Sequence, residues 1–260
     1  MEFTTIEVSA EDALGSITLN RPEKLNPLST LTLQELAGAA AWFDEQPEVK
    51  VVVVSGAGRA FSAGADLGGF AGGGGEASVL ETRQNVDWGR RMADAIEGMT
   101  AVTVARIHGH CVGGAVVLAS ACDLRVAAEG TRFSIPEVDL GIPLTWGGIP
   151  RLVRDIGPAM TKELVMTCRP FDAAEAKEIG FVNRVVPADR LHAEVGELVG
   201  QLLSKSAFTL AATKRQTNAV TDAMVDMPRT WNDADLFITA LRDPESRAAA
   251  AAYLQRVRRT

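Results

Sequence analysis

The chain has 260 residues, 47% of them apolar and 23% charged, with a net charge of −7. High apolar content with modest net charge excludes general disorder, and the length can bury one large core or two modest ones. Aromatics make up only 5% and glycines number 24, which suits an α/β core of Val, Leu, Ala and Ile with close backbone approaches.

Taken in chain order, Ile6–Val8 and Ser16–Leu19 read as short strands around the turn-like stretch Glu11 to Gly15. Pro22 stops the second, because proline cannot donate to a ladder. Ser29 or Thr30 is placed to cap a helix running to about Phe43, with Leu33, Leu36, Ala40 and Phe43 on one face. Val49–Val54 is a continuous apolar run, the pattern of a strand buried on both faces. Gly68 to Gly75 holds six glycines in eight positions and reads as a mobile loop beside a site. A helix is predicted from about Ser78 to Gly98, a strand over Ala101–Ile107, a short apolar helix over Gly113–Ala121 and a strand over Leu124–Ala127.

From about Gly147 helical patterns dominate: 149–156, 158–166, 172–179, 187–203, 207–220 and 244–256. Only Val182–Val186 still reads as extended. Repeated strand–helix units therefore give way to a helical C-terminal region, and no repeat is clear enough for a solenoid.

Several function classes are disfavoured by composition. The chain is acidic, and no stretch interleaves Lys and Arg with aromatics, so no nucleic-acid partner is expected. The basic tail Arg256 to Thr260 reads as a solvated helix end that suits the helix dipole. Cys111, Cys122 and Cys168 are an odd, widely spaced set, which argues against a disulfide framework or a zinc site. His108 and His110 are two apart without an evident third ligand, so no metal is expected. The N-terminus lacks the basic and apolar regions of a signal peptide, and no apolar run reaches the ~18–20 residues that span a bilayer. The expectation is a cytoplasmic protein without a membrane partner.

Two glycine-bearing stretches follow buried strands, at the strand ends where α/β sheets place ligands: Ser55 to Leu67 and Ile107 to Leu118. Gly56-x-Gly58 is a poor dinucleotide signal, because Phe61 replaces the third glycine and no capped helix starts there. There is no P-loop Lys-Ser/Thr and no GxSxG elbow, and Ser62 has no evident base. Gly113-Gly114 opens a helix whose first N–H groups have no internal partner. A second N–H from the Gly64-Ala65 turn could converge on the same point and form an oxyanion hole. The alternative reading of both glycine pairs is close helix–strand packing.

These stretches carry a family resemblance. Leu19-Asn20-Arg21-Pro22-Glu23-Lys24-Leu25-Asn26-Pro27-Leu28, Gly58 to Leu67, Gly109 to Gly114 with Cys122-Asp123, Phe133 to Gly141, Gly147 to Leu152 and Phe171 to Ala176 resemble, in order and spacing, the enoyl-CoA hydratase/isomerase family, or crotonase superfamily. The resemblance implies an α/β fold, a crotonase-like spiral of repeated ββα turns, with a C-terminal helical trimerisation region. It places the spiral core at residues 1–200 and the oligomerisation region at 201–260, in a homotrimer or dimer of trimers. It implies an acyl-CoA thioester substrate and no separate cofactor, since CoA belongs to the substrate. Ala65 and Gly114 would supply the oxyanion N–H groups. Ala63 would lie beside the adenine, with Asp66 and Leu67 following in the same CoA-binding turn. Lys24 lies in the segment near the CoA phosphates. Tyr253 and Arg256 are similar to an aromatic–basic pair that reaches CoA from a neighbouring helix or subunit.

The sequence also departs from the family. Hydratases use two glutamates, one three residues beyond the oxyanion glycine and one in a Pro-Glu pair. Here Val117 holds the first position and Glu137 the second. A valine can neither accept a proton nor hold a water by a hydrogen bond. Leu144-Thr145-Trp146 stands where hydratases tend to have Pro-Gly-Ala. Val117, Leu144, Thr145 and Trp146 would line the substrate pocket, and His110 could lie near it. One carboxylate suffices to move a double bond by proton transfer, so the favoured reading is an enoyl-CoA isomerase of fatty acyl-CoA metabolism with Glu137 as base. A Glu among apolar side chains should also have a raised pKa. The alternatives are an enoyl-CoA hydratase, another acyl-CoA reaction such as decarboxylation or C–C cleavage, and an acyl-CoA-binding protein with weak turnover.

Overall fold

A computed structural model describes residues 3–66, 78–225, 230 and 232–257. Strands β1 (Ile6–Glu11) and β2 (Leu14–Leu19) form an antiparallel hairpin, and β2 pairs in parallel with β3 (Val51–Gly56). The sheet continues in parallel through β4 (Val102–Ile107), β6 (Leu124–Ala128) and β9 (Arg184–Val186), in the order β1-β2-β3-β4-β6-β9. The Val51–Val54 run lies in the middle of this sheet, largely buried, as its unbroken apolar character requires.

A second sheet consists of three very short strands, β5 (His110–Val112), β7 (Arg132–Ser134) and β8 (Phe171–Asp172). An isolated bridge from Ser62 to Cys111 extends it by one position, and another joins Leu28 to Ala65. The chain therefore repeats one path. It runs along a long strand, makes a short extended pairing, and returns through a helix: β2, Leu28 and α1 (Thr30–Asp44); β3, Ser62 and α2 (Val79–Gly98); β4, β5 and α3 (Gly114–Ala121); β6, β7 and α4 (Gly148–Thr167). This is the expected spiral of ββα turns.

The helices end where their sequences say they should. Ser29 caps α1, its Oγ accepting from Thr32 N at 3.2 Å. Ser78 and Glu81 form a reciprocal capping box at the start of α2. Helix α4 is broken at Gly157 (φ 76°, ψ 164°) with Pro158 after it, so it consists of the two helices expected at 149–156 and 158–166, joined at a kink. Helices α5 (Ala173–Glu178), α6 (Leu191–Leu203), α7 (Ala207–Val225), α8 (Asp233–Ala240) and α9 (Pro244–Val257) complete the chain. The short strands β5, β7 and β8 and helix α8 have no counterpart in the sequence-based expectation. The Gly68–Gly75 loop expected to be mobile, and Leu67 beside it, lie outside the described residues.

The principal core lies between the main sheet and helices α1, α2, α3 and α4, and α3 is buried along its whole length. A smaller cluster lies between the main sheet and α6. No helix among the described residues is long and apolar enough to cross a membrane, and no His/Cys/Asp/Glu group among them could hold a metal ion.

Candidate active site

The site begins with a buried asparagine. Leu25 and Asn26 both adopt left-handed backbone (φ 61° and 54°) after the turn at Pro22–Lys24. Asn26 Nδ2 donates to the carbonyls of Ala57, Ala60 and Phe61, and its Oδ1 accepts from Arg21 N at 2.9 Å. Ser62 Oγ donates to Asn26 O at 2.7 Å and accepts from Gly64 N at 3.1 Å. One side chain therefore ties the segment before α1 to the loop after β3, and Ser62 passes that anchorage to the Gly64-Ala65 turn. Sequence reasoning quoted Asn26 only as part of a motif and set Ser62 aside as a nucleophile. Both are scaffold, and the bonds that join the two segments span 31–36 residues.

Two backbone donors are left open beside this turn. Leu28 N donates to Gly64 O (2.8 Å) and Asp66 N donates to Leu28 O (3.1 Å), which turns the intervening Ala65 N–H away from Leu28. Gly113 N donates to Ser134 O at 2.8 Å, and Gly114 is the first residue of α3. Neither Ala65 N nor Gly114 N donates a hydrogen bond among the described residues. The two segments touch: a Cβ on Gly64 (φ 88°) would overlap the Val112 carbonyl and lie 3.6 Å from Gly114 N. Any side chain at Gly64 would push them apart.

Glu137 sits against the same helix end. The stretch after β7 makes a tight turn in which Leu140 N donates to Pro136 O and Ile142 N to Glu137 O, both at 3.0 Å. The turn presses the carboxylate onto Gly113, where a Cβ would overlap Glu137 Oε1. Glu137 is only 9% exposed, and its Oε2 has no hydrogen-bond partner among the described residues. Burial pushes its pKa from 4.5 up to about 7. A buried, unpaired carboxylate oxygen is costly to keep, and such groups cluster at functional sites.

Mostly apolar side chains pack around the start of α3. Val117 is fully buried one turn into α3, and Leu144, Thr145 and Trp146 are buried as well. A Cβ on Gly148 would come within 2.9 Å of Val117 Cγ2 and 3.0 Å of Leu144 Cδ2, so these side chains meet. The Trp146 indole fills a slot between two helices: its five-membered ring lies where a Cβ on Gly89 of α2 would be, and its six-membered ring where a Cβ on Gly114 of α3 would be. Gly89 is not among the site residues expected from the sequence. A glycine inside an otherwise regular helix was its signal, since it costs about 1 kcal/mol relative to Ala.

The remaining expected site residues are distributed as follows. Ala63 N donates to Leu25 O at 2.8 Å, which puts Ala63 beside the exposed Lys24. Asp66 pairs with Arg21 at 3.1 Å. Arg256 pairs with Asp139 at 2.7 Å and lies over the Tyr253 ring at 5.3 Å, so α9 of the same chain packs against the turn carrying Glu137. Burial raises the Tyr253 pKa, with Arg256 opposing. The His110 side chain is exposed on β5, and no described contact brings it to Glu137. Arg151 is a fully buried ion-pairing residue.

Geometrically, the site brings a buried carboxylate of near-neutral pKa beside two open N–H donors, among largely apolar side chains. Known proteins agree with the resemblance in the sequence. The family model for enoyl-CoA hydratase/isomerase matches residues 9–259. A crotonyl-CoA hydratase of Syntrophomonas wolfei is 32% identical over 98% of this chain and 97% of its own. A peroxisomal Delta(3,5)-Delta(2,4)-dienoyl-CoA isomerase of Arabidopsis thaliana is 32% identical over 94% of each. A crystal structure of an enoyl-CoA hydratase from Mycobacterium avium subsp. paratuberculosis superimposes with a TM-score of 0.87 at 30% identity, over 98% of this chain and 97% of that one. With a family match over nearly its whole length and relatives of both activities, the chain is an enzyme of the enoyl-CoA hydratase/isomerase family.

Proposed function

We propose that the protein moves a double bond in an enoyl-CoA thioester, with Glu137 as its single proton carrier. The observation that carries this reading is the buried Glu137 carboxylate at the start of a helix that carries Val117, not an acid, one turn in. Val117, fully buried, stands where a second glutamate would hold the attacking water, and burial alone drives the rise of the Glu137 pKa to about 7. A base with that pKa is substantially ionised at neutral pH and still basic enough to take a carbon-bound proton.

In a 3-enoyl-CoA the proton on the carbon between the carbonyl and the double bond is the acidic one. Glu137 takes it, and the electron pair moves into the thioester to give a dienolate. The Ala65 and Gly114 N–H groups hold the resulting oxyanion, each such donor being worth roughly 2.7–4 kcal/mol. The protonated Glu137 then delivers the same proton to the far carbon of the conjugated system, and the double bond comes to lie beside the carbonyl. No proton or electron is gained or lost overall. Lys24, Ala63, Asp66, Leu67, Tyr253 and Arg256 are assigned to the CoA moiety, and Val117, Leu144, Thr145, Trp146 and His110 to the acyl side. The helices of residues 201–260 are assigned to contact between copies in a homotrimer, a reading supported by Phe208, Val220 and Met224 of α7, which are 80%, 61% and 76% exposed.

Hydration is the competing reading, favoured by the hydratase names of several relatives. The two are separated by initial rates on 3-enoyl-CoA isomerisation and trans-2-enoyl-CoA hydration with the same purified protein. Isomerisation is expected to exceed hydration by about 100-fold or more, because no second carboxylate activates water. Hydration as fast as isomerisation would refute the argument from Val117.

A further inference from the structure

The wall residue Trp146 is held in an unfavourable backbone conformation by a buried ion network that the reaction itself does not use. Trp146 and the following Gly147 both have left-handed backbone, φ 62° and 70°. For a bulky residue this conformation is strained and persists only where its surroundings enforce it. Arg151 shares in the enforcement: its guanidinium donates to the carbonyls of Trp146 (3.4 Å) and Gly147 (3.3 Å), while Asp233 accepts from Gly147 N at 2.8 Å. Arg151 is itself fully buried, and a buried guanidinium needs an opposite charge. Glu97, near the end of α2, supplies it at 2.6 Å, with Asp94 at 3.0 Å.

The other oxygen of Glu97 takes Arg154, and Arg154 donates in turn to Ser120 O at 2.8 Å in the last turn of α3. Arg125 joins at the same end: it donates to the carbonyls of Ala119 (3.3 Å) and Cys122 (2.9 Å), and Asp155 pairs with both arginines. Two cations at the C-terminal end of a helix are favoured by its dipole. The opposite end of this eight-residue helix carries Gly114, and the Trp146 indole lies against Gly114. One carboxylate thus restrains both the helix that bears an oxyanion donor and the ring packed on that donor.

We propose that Glu97 is a positioning residue for the reaction: through Arg151 it holds the Trp146 wall against Gly114, and through Arg154 it holds the helix that carries Gly114. The proposal rests on the reading of Glu137 as a base in a dry pocket. When Glu97 loses its charge, Arg151 keeps only the half-exposed Asp94 as counter-charge, the Trp146-Gly147 backbone relaxes, and water reaches Glu137.

The test uses the full chain with Glu97→Gln, Trp146→Phe and the double variant, and reads kcat, KM, thermal stability and the pH profile of kcat/KM. Glu97→Gln is expected to lower kcat by about tenfold or more with KM within about twofold, as small misplacements of catalytic groups do. It should also move the acidic midpoint of the profile below that of the wild type, because a wetted Glu137 ionises more easily. Trp146→Phe should do the same, and the double variant should add little, since both act on one wall. Glu97→Asp, which keeps the charge, should recover part of the loss. If Glu97→Gln does not fold, Glu97→Asp and Arg154→Lys are read for the same kcat loss and midpoint shift, in smaller measure. Lower thermal stability with kcat and midpoint unchanged, or multiplicative effects in the double variant, overturns the proposal. The wild-type profile and Glu137→Gln test the base separately, so failure of that reading is distinguishable from failure of this one.

Discussion

Glu137→Gln is expected to abolish turnover and, at pH 8, to make the protein more stable. The loss follows from the chemistry: an amide cannot accept the substrate proton, and general-base catalysis contributes typically 10²–10⁴-fold. With no second carboxylate to substitute, the effect should lie at the upper end of that range or beyond it. The stability gain follows from linkage. Folding raises the Glu137 pKa from 4.5 to about 7, so between those values the folded state binds more protons than the unfolded state. Stability therefore falls as pH rises through this window, and above it the folded protein carries a penalty of about 3 kcal/mol. Glutamine has no charge to bury, so the variant should gain about 2–3 kcal/mol at pH 8 and little at pH 4.5. Denaturant melts of both proteins at the two pH values check the stability, and turnover of a 3-enoyl-CoA checks the activity. A variant that keeps its turnover, or gains no stability at pH 8, contradicts the role given to Glu137.

Gly114→Ala should be nearly as damaging to catalysis, with binding less affected. The new methyl would occupy the position of the Trp146 six-membered ring. The ring cannot retreat, because its other half already fills the place of a side chain at Gly89. Relief must come from α3, and movement of α3 misdirects the Gly114 N–H. Loss of one oxyanion donor costs roughly 10²–10³ in kcat. A fall of that size with KM little changed is the expected result, measured by steady-state kinetics on a 3-enoyl-CoA. Overpacking should also cost about 1–3 kcal/mol of stability. A Gly114→Ala variant with wild-type kcat would show that the Gly114 N–H does not touch the reacting oxygen.

Much of this arrangement is legible in the sequence because it is local. The run Val51–Val54, the caps at Ser29 and Ser78, and the break at Gly157-Pro158 depend on neighbouring residues, and their patterns are intact. The glycine pairs at Gly64 and Gly113-Gly114 are legible for the same reason: each marks a backbone that must leave a strand sharply. The resemblance carries Glu137, Ala65 and Gly114, and the structure brings Glu137 and Gly114 to one helix end and the Gly64-Ala65 turn alongside.

What the sequence hides is non-local or too short to have a period. Strands β5, β7 and β8 have two or three residues each, fewer than one cycle of any hydrophobic pattern can reveal. Asn26 acts through carbonyls 31–35 residues away, and Glu97 through arginines 54 and 57 residues away. Nothing in the immediate neighbourhood of either residue announces such partners. The slot between Gly89 and Gly114 is of the same kind, a shape made by two helices that only folding brings together.

The central claim is that the Ala65 and Gly114 N–H groups hold the thioester oxygen while Glu137 alone faces the reacting carbons. A crystal structure with an unreactive 3-enoyl-CoA analogue tests it most directly. The account predicts the thioester oxygen about 3 Å from both Ala65 N and Gly114 N. It further predicts a Glu137 oxygen against the carbon between carbonyl and double bond, and no water between Glu137 and Val117. A thioester oxygen bound elsewhere, or an ordered water held by Glu137 over the double bond, would contradict it.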